Sequence, residues 1–323
     1  MKKVLFATTA FTALAVGGTA MADITLYGSA RLGLYYEEDA DNELTTTSRT
    51  RFGVTMSGET DSGITFGADM RADNVADPLD GADSGQAGSA FISGAFGTLT
   101  YGDTSGADEN WVGDLVGNLS LTGLGDLNET LYLSNGGELD SDDPDSVLNP
   151  AARPTIRYDF DLAGFGISLS SDNDLSDVGV GAGYAGPVAG FDLEFGIGYY
   201  DFNDFAFGGE SLDGEEYSAM LGFGFLGADM NVIYNKVDPD GGLDRETLGV
   251  GAEYAFDAFA VGAFYRNVLS ASNDDGETAT IDGEDAFGLT AEYDLGGGAT
   301  LNGGLVSDYE DDIVADFGVN MSF

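Results

Sequence analysis

Apolar and polar residues alternate along the chain in segments of about ten residues. In the segment DITLYGSARL, Ile24, Leu26 and Leu32 share one face, whereas Tyr27 and Arg31 share the other. This period of two predicts a β-strand, because successive side chains of a strand point to opposite sides of the sheet. A tilted membrane-crossing strand needs about this length. We predict sixteen strands, which begin near residues 24, 49, 64, 89, 98, 155, 165, 178, 191, 216, 228, 246, 258, 286, 299 and 313.

Two kinds of β-protein would show this alternation. The apolar face points into a core in a soluble sandwich, whereas it contacts lipid in an outer-membrane barrel with a polar, water-lined interior. The polar face carries charged residues in mid-strand, such as Arg71 and Glu194, and Tyr217 and Tyr254 lie near strand ends, as in an interfacial aromatic girdle. Short polar links also alternate with long acidic ones. These features favour an all-β fold, a 16-stranded antiparallel transmembrane β-barrel over residues 23–323.

The first 22 residues have the pattern of a secretory signal peptide. Lys2 and Lys3 precede the apolar run VLFATTAFTALAV, and the small residues Ala20 and Ala22 flank the expected cleavage site. The alternative, a permanent membrane anchor, is disfavoured because the apolar run is too short to span a bilayer as a helix. We therefore predict an exported protein whose mature chain begins at Asp23.

Composition narrows the possible chemistry. The chain has 11 Lys and Arg against 57 Asp and Glu, no Cys and no His. Disulfide scaffolds, thiolate metal sites and Ser-His or Cys-His nucleophiles are thereby excluded, and we expect no enzyme. The net charge of −46, which becomes −48 without Lys2 and Lys3, argues against nucleic acid and favours divalent cations as partners.

One connection, residues 104–150, is far longer than a barrel turn needs. A barrel of sixteen strands encloses an aqueous hole, and a long loop folded inward would narrow it. The predicted acidic side of this constriction is Asp108, Glu109, Asp114, Asp126 and Glu129 on the loop, and the predicted basic side is Arg31, Arg49, Arg51 and Arg71 on the first three strands. Opposed charges would set a transverse field across the opening. In the alternative, the arginines only pair with wall carboxylates such as Asp69 and Asp159.

Several long segments resemble the alphaproteobacterial general porins of the Rhodobacter type. They are SRTRFGVTMSGETDSGITFGA, FISGAFGTLTYGD, YDLGGGATLNGGL and DIVADFGVNMSF. The resemblance implies a homotrimeric outer-membrane channel of Gram-negative cells for small hydrophilic solutes and ions, with its third loop in the pore and its basic eyelet residues at the four arginines. It also implies an assembly signal at Phe323 and bound calcium, for which Asp103, Asp108, Asp140, Asp142 and Asp143 are candidates; no other cofactor is expected.

The predicted function is general diffusion of ions and small hydrophilic solutes across the outer membrane. A substrate-specific channel of the same fold is the alternative, and a barrel enzyme or adhesin or a soluble calcium-binding solenoid is less consistent with the residues present. We expect modest cation selectivity, strongest at low salt. The acidic external loops also suggest either a saline habitat or lipopolysaccharide, bridged by divalent cations, as a partner.

Overall fold

The computed structural model describes residues 23–38, 40, 42–77, 81–117, 119–124, 134, 155–207, 210–241, 243–273, 285–307 and 312–323. In these ranges sixteen antiparallel strands form a closed barrel in which each strand pairs with its neighbours in the chain and β16 returns to β1. The strands are β1 Asp23–Glu37, β2 Leu44–Glu59, β3 Thr65–Asp77, β4 Gly81–Gly94, β5 Gly97–Gly102, β6 Ile156–Leu162, β7 Phe165–Ser171, β8 Val178–Val188, β9 Phe191–Phe207, β10 Glu210–Phe225, β11 Ala228–Pro239, β12 Leu243–Phe256, β13 Phe259–Asn273, β14 Asp285–Gly296, β15 Ala299–Ser307 and β16 Ile313–Ser322.

The predicted fold class and strand order are confirmed. Three strands start five or more residues earlier than the sequence pattern indicated: β2 at Leu44, β4 at Gly81 and β10 at Glu210. Their first residues, such as LTTTS and ESLDGE, lack the apolar alternation of a lipid-facing strand. The backbone ladder nevertheless continues through them, because hydrogen bonding between strands does not depend on which side chains face outward.

The barrel has a short-turn end and a long-loop end. At the short-turn end, two-residue turns such as Ala163–Gly164 and Leu226–Gly227 have positive φ at both positions, with values of 55° and 86° and of 53° and 86°. This is the type I′ geometry whose twist suits a tight hairpin, and glycine adopts it without steric cost. The longer connections, including the one between β5 and β6, leave from the opposite end.

The outer surface is apolar, as a lipid-facing surface must be. Ile24, Leu26 and Leu221 are 66%, 64% and 56% exposed. Near the short-turn end aromatic rings pack against each other across strands: the rings of Phe259 and Tyr293 have centroids 4.5 Å apart, as expected for an interfacial girdle. Within the described ranges, no helix has the length and apolar character needed to cross a membrane.

The buried apolar core lies inside the barrel rather than between sheets. It forms where the β5–β6 connection packs against the inner wall, and its members are Val112, Leu115, Val116, Leu124, Ile233, Phe264, Val306 and Val314. Each fully buried aliphatic side chain contributes about 1.5–3 kcal/mol to this packing. The described part of the long connection therefore folds inward, as predicted.

Candidate pore constriction

The β5–β6 connection, here called the pore loop, enters the barrel directly after β5. Its described residues contain the short helix α1, Glu109–Val112, and continue to Leu124. Arg157 on β6 donates from Nη1 to the Ser105 carbonyl and hydroxyl oxygens, both at 3.0 Å. The Ala107 N–H donates to Ser170 Oγ at 2.9 Å, and Trp111 Nε1 donates to Ser168 Oγ at 3.0 Å. The start of the loop is thus fixed to β6 and β7.

The loop then follows the inner wall around the barrel. Asn231 on β11 donates to the Leu115 carbonyl at 3.2 Å, and the Gly117 N–H donates to Glu253 Oε2 on β12 at 3.0 Å. Asn302 on β15 donates to the Leu119 carbonyl at 3.0 Å. Successive loop residues contact strands that lie progressively further around the barrel. The loop therefore follows the wall instead of crossing the interior directly.

The far end of the described loop reaches β16 and β1. Asp316 Oδ2 accepts from the N–H and the hydroxyl of Thr122 at 2.6 and 2.7 Å. Arg31 Nη1 donates to the Leu121 carbonyl at 3.3 Å. Charge-assisted bonds of this kind are roughly twice as strong as neutral ones, so the tip of the described segment is firmly held. We call the inner face of β6–β16 and β1 the loop-bearing wall.

Inward-facing glycines make room for the loop on this wall. A Cβ built on any of them would overlap loop atoms: Trp111 at Gly183 and Gly196, the Ala107 carbonyl at Gly181, and Leu115 at Gly249 and Gly251. We call this set, extended by Gly33, Gly166, Gly198 and Gly318, the glycine track. The sequence signal was present in runs such as VGVGAG and GVGAEY, where glycine takes alternate positions opposite the apolar face. The track was not identified from the sequence.

We call the inner face of β2–β5 the open wall, because several of its described side chains are accessible. Arg49, Arg51, Thr55, Asp69 and Arg71 all point inward and are partly exposed, whereas Ser168 and Thr247 on the loop-bearing wall are fully buried. The passage through the barrel is therefore bounded by the open wall on one side and by the pore loop on the other.

The predicted arginines come together as adjacent strands require. Arg31 lies directly opposite Arg49 across β1 and β2, and Arg51 lies opposite Asp73 across β2 and β3. Arg51 binds Asp73 at 2.5 Å, and Arg71 Nε lies 3.4 Å from the same carboxylate. The alternative prediction, that the arginines pair with carboxylates of the wall, therefore holds for Arg51 and Arg71. Their partner is Asp73 and not Asp69 or Asp159. Asp69 instead accepts from Tyr27 and Thr55, and Asp159 pairs with Arg157 at 3.0 Å.

Arg31 differs from the other arginines. Only 8% of its surface is exposed, because Leu121 of the loop covers it. The placement of Arg31 on the opening itself therefore needs correction: its guanidinium anchors the loop. Arg49, Arg51 and Arg71 remain on the accessible face.

The prediction that Asp108 lines the opening is wrong. This residue is fully buried between the loop and the wall, where Oδ1 accepts from Ser134 Oγ at 2.5 Å and the side chain packs against Gly198 and Ser218. Burial raises its pKa to about 6, while the hydrogen bond from Ser134 acts in the opposite direction. Burial of a loop carboxyl carries no signal in the sequence, because it depends on the path that the loop takes.

The other predicted acidic residues divide between two groups. Glu109 and Asp114 lie on the described part of the loop and are partly exposed. Asp126 and Glu129, like the calcium candidates Asp140, Asp142 and Asp143, lie outside the described residues. Within the described ranges no three His, Cys, Asp or Glu side chains gather as a metal site, and the predicted calcium candidates stay a prediction. The cleavage signal over residues 1–22 is also outside these ranges.

Phe323 closes the barrel seam. Its N–H donates to the Gly28 carbonyl at 2.9 Å, its carbonyl accepts from Gly28 at 3.3 Å, and its side chain is 80% exposed. The predicted role of Phe323 in assembly stays a prediction.

Comparison with known proteins agrees with this geometry. Residues 7–312 match the family model described as Gram-negative porin. The chain belongs to the Gram-negative porin family. A porin from Rhodobacter capsulatus is 32% identical over 329 residues, which cover 93% of this chain and all of that protein. A porin from Fuscovulum blasticum is 27% identical over 346 residues with the same coverage of 93% and 100%.

Solved structures show the same fold. An engineered variant of the Rh. blastica porin has a TM-score of 0.67 at 20% identity, and a refined porin structure has a TM-score of 0.65 at 24% identity. Each comparison covers 93% of this chain and 100% of the other. The protein is thus a general diffusion porin, a multi-pass β-barrel of the outer membrane of Gram-negative cells. Membership of this family points to a channel rather than an enzyme.

Proposed function

We propose that ions and small hydrophilic solutes pass between the pore loop and the open wall, and that Arg49, Arg51 and Arg71 form the basic side of the constriction. The observation that carries this proposal is the contrast in exposure: these arginines are partly exposed, whereas Ser168 and Ser170 of the loop-bearing wall are buried beneath the loop, to which both are hydrogen-bonded. Glu109 and Asp114, on the loop, are the described candidates for the acidic side. Asp126 and Glu129 stay candidates from the sequence.

The charge balance of the passage favours cations. Two of the accessible arginines share Asp73, which offsets part of their charge. The chain as a whole has a net charge of −46. A negative potential raises the local cation concentration most at low salt, where the Debye length is about 10 Å or longer. We therefore assign the channel a modest cation preference.

A homotrimer is supported by the outer face of β2. Thr46, Ser48 and Thr50 are exposed there, and Thr46 and Ser48 lie opposite Leu34 and Leu32 of β1, at the level of the apolar band. Hydroxyl groups gain nothing from contact with lipid, so a neighbouring subunit is a better partner for this strip. The acidic long-loop end suits lipopolysaccharide bridged by divalent cations.

Planar-bilayer recording with a salt gradient tests the proposal. We expect stepwise openings in groups of three and a small reversal potential of the sign that indicates cation preference. The variant Arg49→Gln/Arg51→Gln should conduct better and prefer cations more strongly, by roughly two-fold for each charge removed at 0.1 M salt.

Lys236→Gln is the matched control, because Lys236 pairs with Asp238 at 2.6 Å near the long-loop end. It should leave both properties close to the wild-type values. If the arginine variant has unchanged conductance and reversal potential, the constriction does not lie at this wall.

A further inference from the structure

We propose that a row of carboxylates on the barrel wall beneath the pore loop, Glu194, Asp229, Glu253 and Glu292, sets the cation preference of the short-turn half of the channel. We call it the acidic row. It lies on β9, β11, β12 and β14 and includes none of the loop carboxylates discussed above.

The position of the row follows from the path of the loop. On β9, β11 and β12 the row residue is the next inward position, toward the short-turn end, after the last position that the loop packs on or that binds a loop carbonyl. Trp111 packs on Gly196, which is two residues above Glu194, and the loop carbonyls bind Asn231, which is two residues above Asp229. Leu115 packs on Gly251, two residues above Glu253. The row thus lies directly under the loop.

Two members of the row touch the underside of the loop or its anchor. Glu253 Oε2 accepts from the Gly117 N–H, and Glu292 Oε2 accepts from Asn302, which also holds the Leu119 carbonyl. These contacts fix the carboxylates at the lower edge of the constriction. Glu194, Glu253 and Glu292 are partly exposed and Asp229 is exposed, so all four contact the water of the interior.

The carboxylates are close neighbours around the wall. Asp229 and Glu253 are direct partners across β11 and β12. The intervening strand β10 presents glycines at this level: a Cβ on Gly222 would lie 3.3 Å from Glu194 Cβ, and one on Gly224 would lie 2.6 Å from Asp229 Oδ1. The absence of side chains on β10 brings the charges of β9 and β11 toward each other.

The row has no basic counterpart at its level among the described residues. The described arginines of the inner wall nearest to the row lie closer to the long-loop end: Arg51 and Arg71 pair with Asp73, Arg157 pairs with Asp159, and Arg266 lies opposite Gly249, four residues above Glu253. On the open wall at a similar depth lie Thr55 and another carboxylate, Asp69. An ion below the loop therefore meets carboxylates and hydroxyls, and it meets the arginines only at the constriction itself.

This arrangement separates two tasks. The arginines and the loop produce a transverse field at the narrow point, which sorts solutes by size and dipole, whereas the acidic row raises the cation concentration on the short-turn side. The inference rests on the cation preference proposed above and names the residues responsible for it.

The test is the permeability ratio of potassium to chloride, taken from reversal potentials in planar bilayers. The variant Glu194→Gln/Asp229→Asn/Glu253→Gln/Glu292→Gln should lower this ratio at 0.1 M KCl by roughly two-fold for each charge, and the difference should shrink at 1 M KCl, where the Debye length is about 3 Å. The double variant Glu194→Gln/Asp229→Asn removes no bond to the loop. It keeps the test valid if the fourfold variant fails to fold. It should lower the logarithm of the permeability ratio by about half as much as the fourfold variant does.

The matched control is Asp61→Asn/Asp257→Asn, which removes two carboxylates from the short turns outside the channel. It should leave the ratio unchanged. An unchanged ratio in a folded, conducting double variant would overturn the assignment, and so would an equal decrease in the control. Failure of the proposed function gives a different result, namely no stepwise conductance or an anion preference in the wild-type protein.

Discussion

The two parts of the inner wall are built from different residues because they have different neighbours. Where it contacts the loop, the loop-bearing wall uses glycine, serine and asparagine, which leave space for the loop or form hydrogen bonds with it, as Gly181, Ser168 and Asn302 do. The open wall uses long charged side chains, such as Arg49 and Arg51, which extend into water. The difference teaches that, at the level of the pore loop, the loop-bearing wall is a packing surface and the open wall is the functional surface of the passage.

The largest effect is expected from substitutions that add side chains to the glycine track. Gly181→Ala/Gly196→Ala places methyl groups inside the contact distance of the Ala107 and Trp111 carbonyls, which belong to the loop backbone. Overpacking of this kind costs about 1–3 kcal/mol at each site. We expect a lower midpoint of heat-induced unfolding in detergent and a lower, noisier conductance, because the loop must move away from the wall and into the passage.

The outward-facing Gly28→Ala is the control for that variant, since its new Cβ would have its nearest contact at 3.2 Å, with the Arg51 carbonyl. It should remain close to wild type in both measurements. Equal behaviour of the two variants would mean that the glycine track does not seat the loop.

A smaller effect is expected in the pH dependence of stability, which reflects the buried carboxyl group of Asp108 on the loop. Burial raises the pKa of Asp108 from 3.8 to about 6. Because this pKa is higher in the packed loop than in the unfolded chain, its contribution to stability is fully present below about pH 4 and is lost as the pH rises through about 6. The full difference is about 3 kcal/mol.

Asp108→Asn removes this titration and should flatten the change in unfolding midpoint between pH 4 and pH 7.5, whereas Asp61→Asn in an exposed turn should not. Measurement of the unfolding midpoint between pH 4 and pH 7.5 tests this prediction. If the wild-type and Asp108→Asn proteins show the same pH dependence, Asp108 does not titrate in the packed loop.

The sequence was sufficient to predict the barrel because each lipid-facing strand repeats the same two-residue period. It also located the arginines correctly on adjacent strands, since the register of β1–β3 follows from that period. The loop was harder, because the path of an irregular segment depends on tertiary contacts. The burial of Asp108 and the covering of Arg31 both follow from that path and have no periodic signal.

Some of the missed information was nevertheless visible. Trp111, Leu115, Leu119 and Leu121 are apolar residues in a connection that should be polar, and they indicated a segment that packs. The inward glycines of β8, β9 and β12 were the complementary surface. Read together, the two patterns would have predicted which side of the barrel the loop covers.

The central claim is that the passage runs along the open wall. The chain has no Cys, so single cysteines can report accessibility without background. Thr55→Cys on the open wall and Ser170→Cys on the loop-bearing wall, where only 5% of the native side chain is exposed, form a matched pair of hydroxyl replacements. A charged methanethiosulfonate reagent added during bilayer recording should react at Thr55→Cys and reduce the conductance, and it should not react at Ser170→Cys. Reaction and block at Ser170→Cys, with none at Thr55→Cys, would contradict the account.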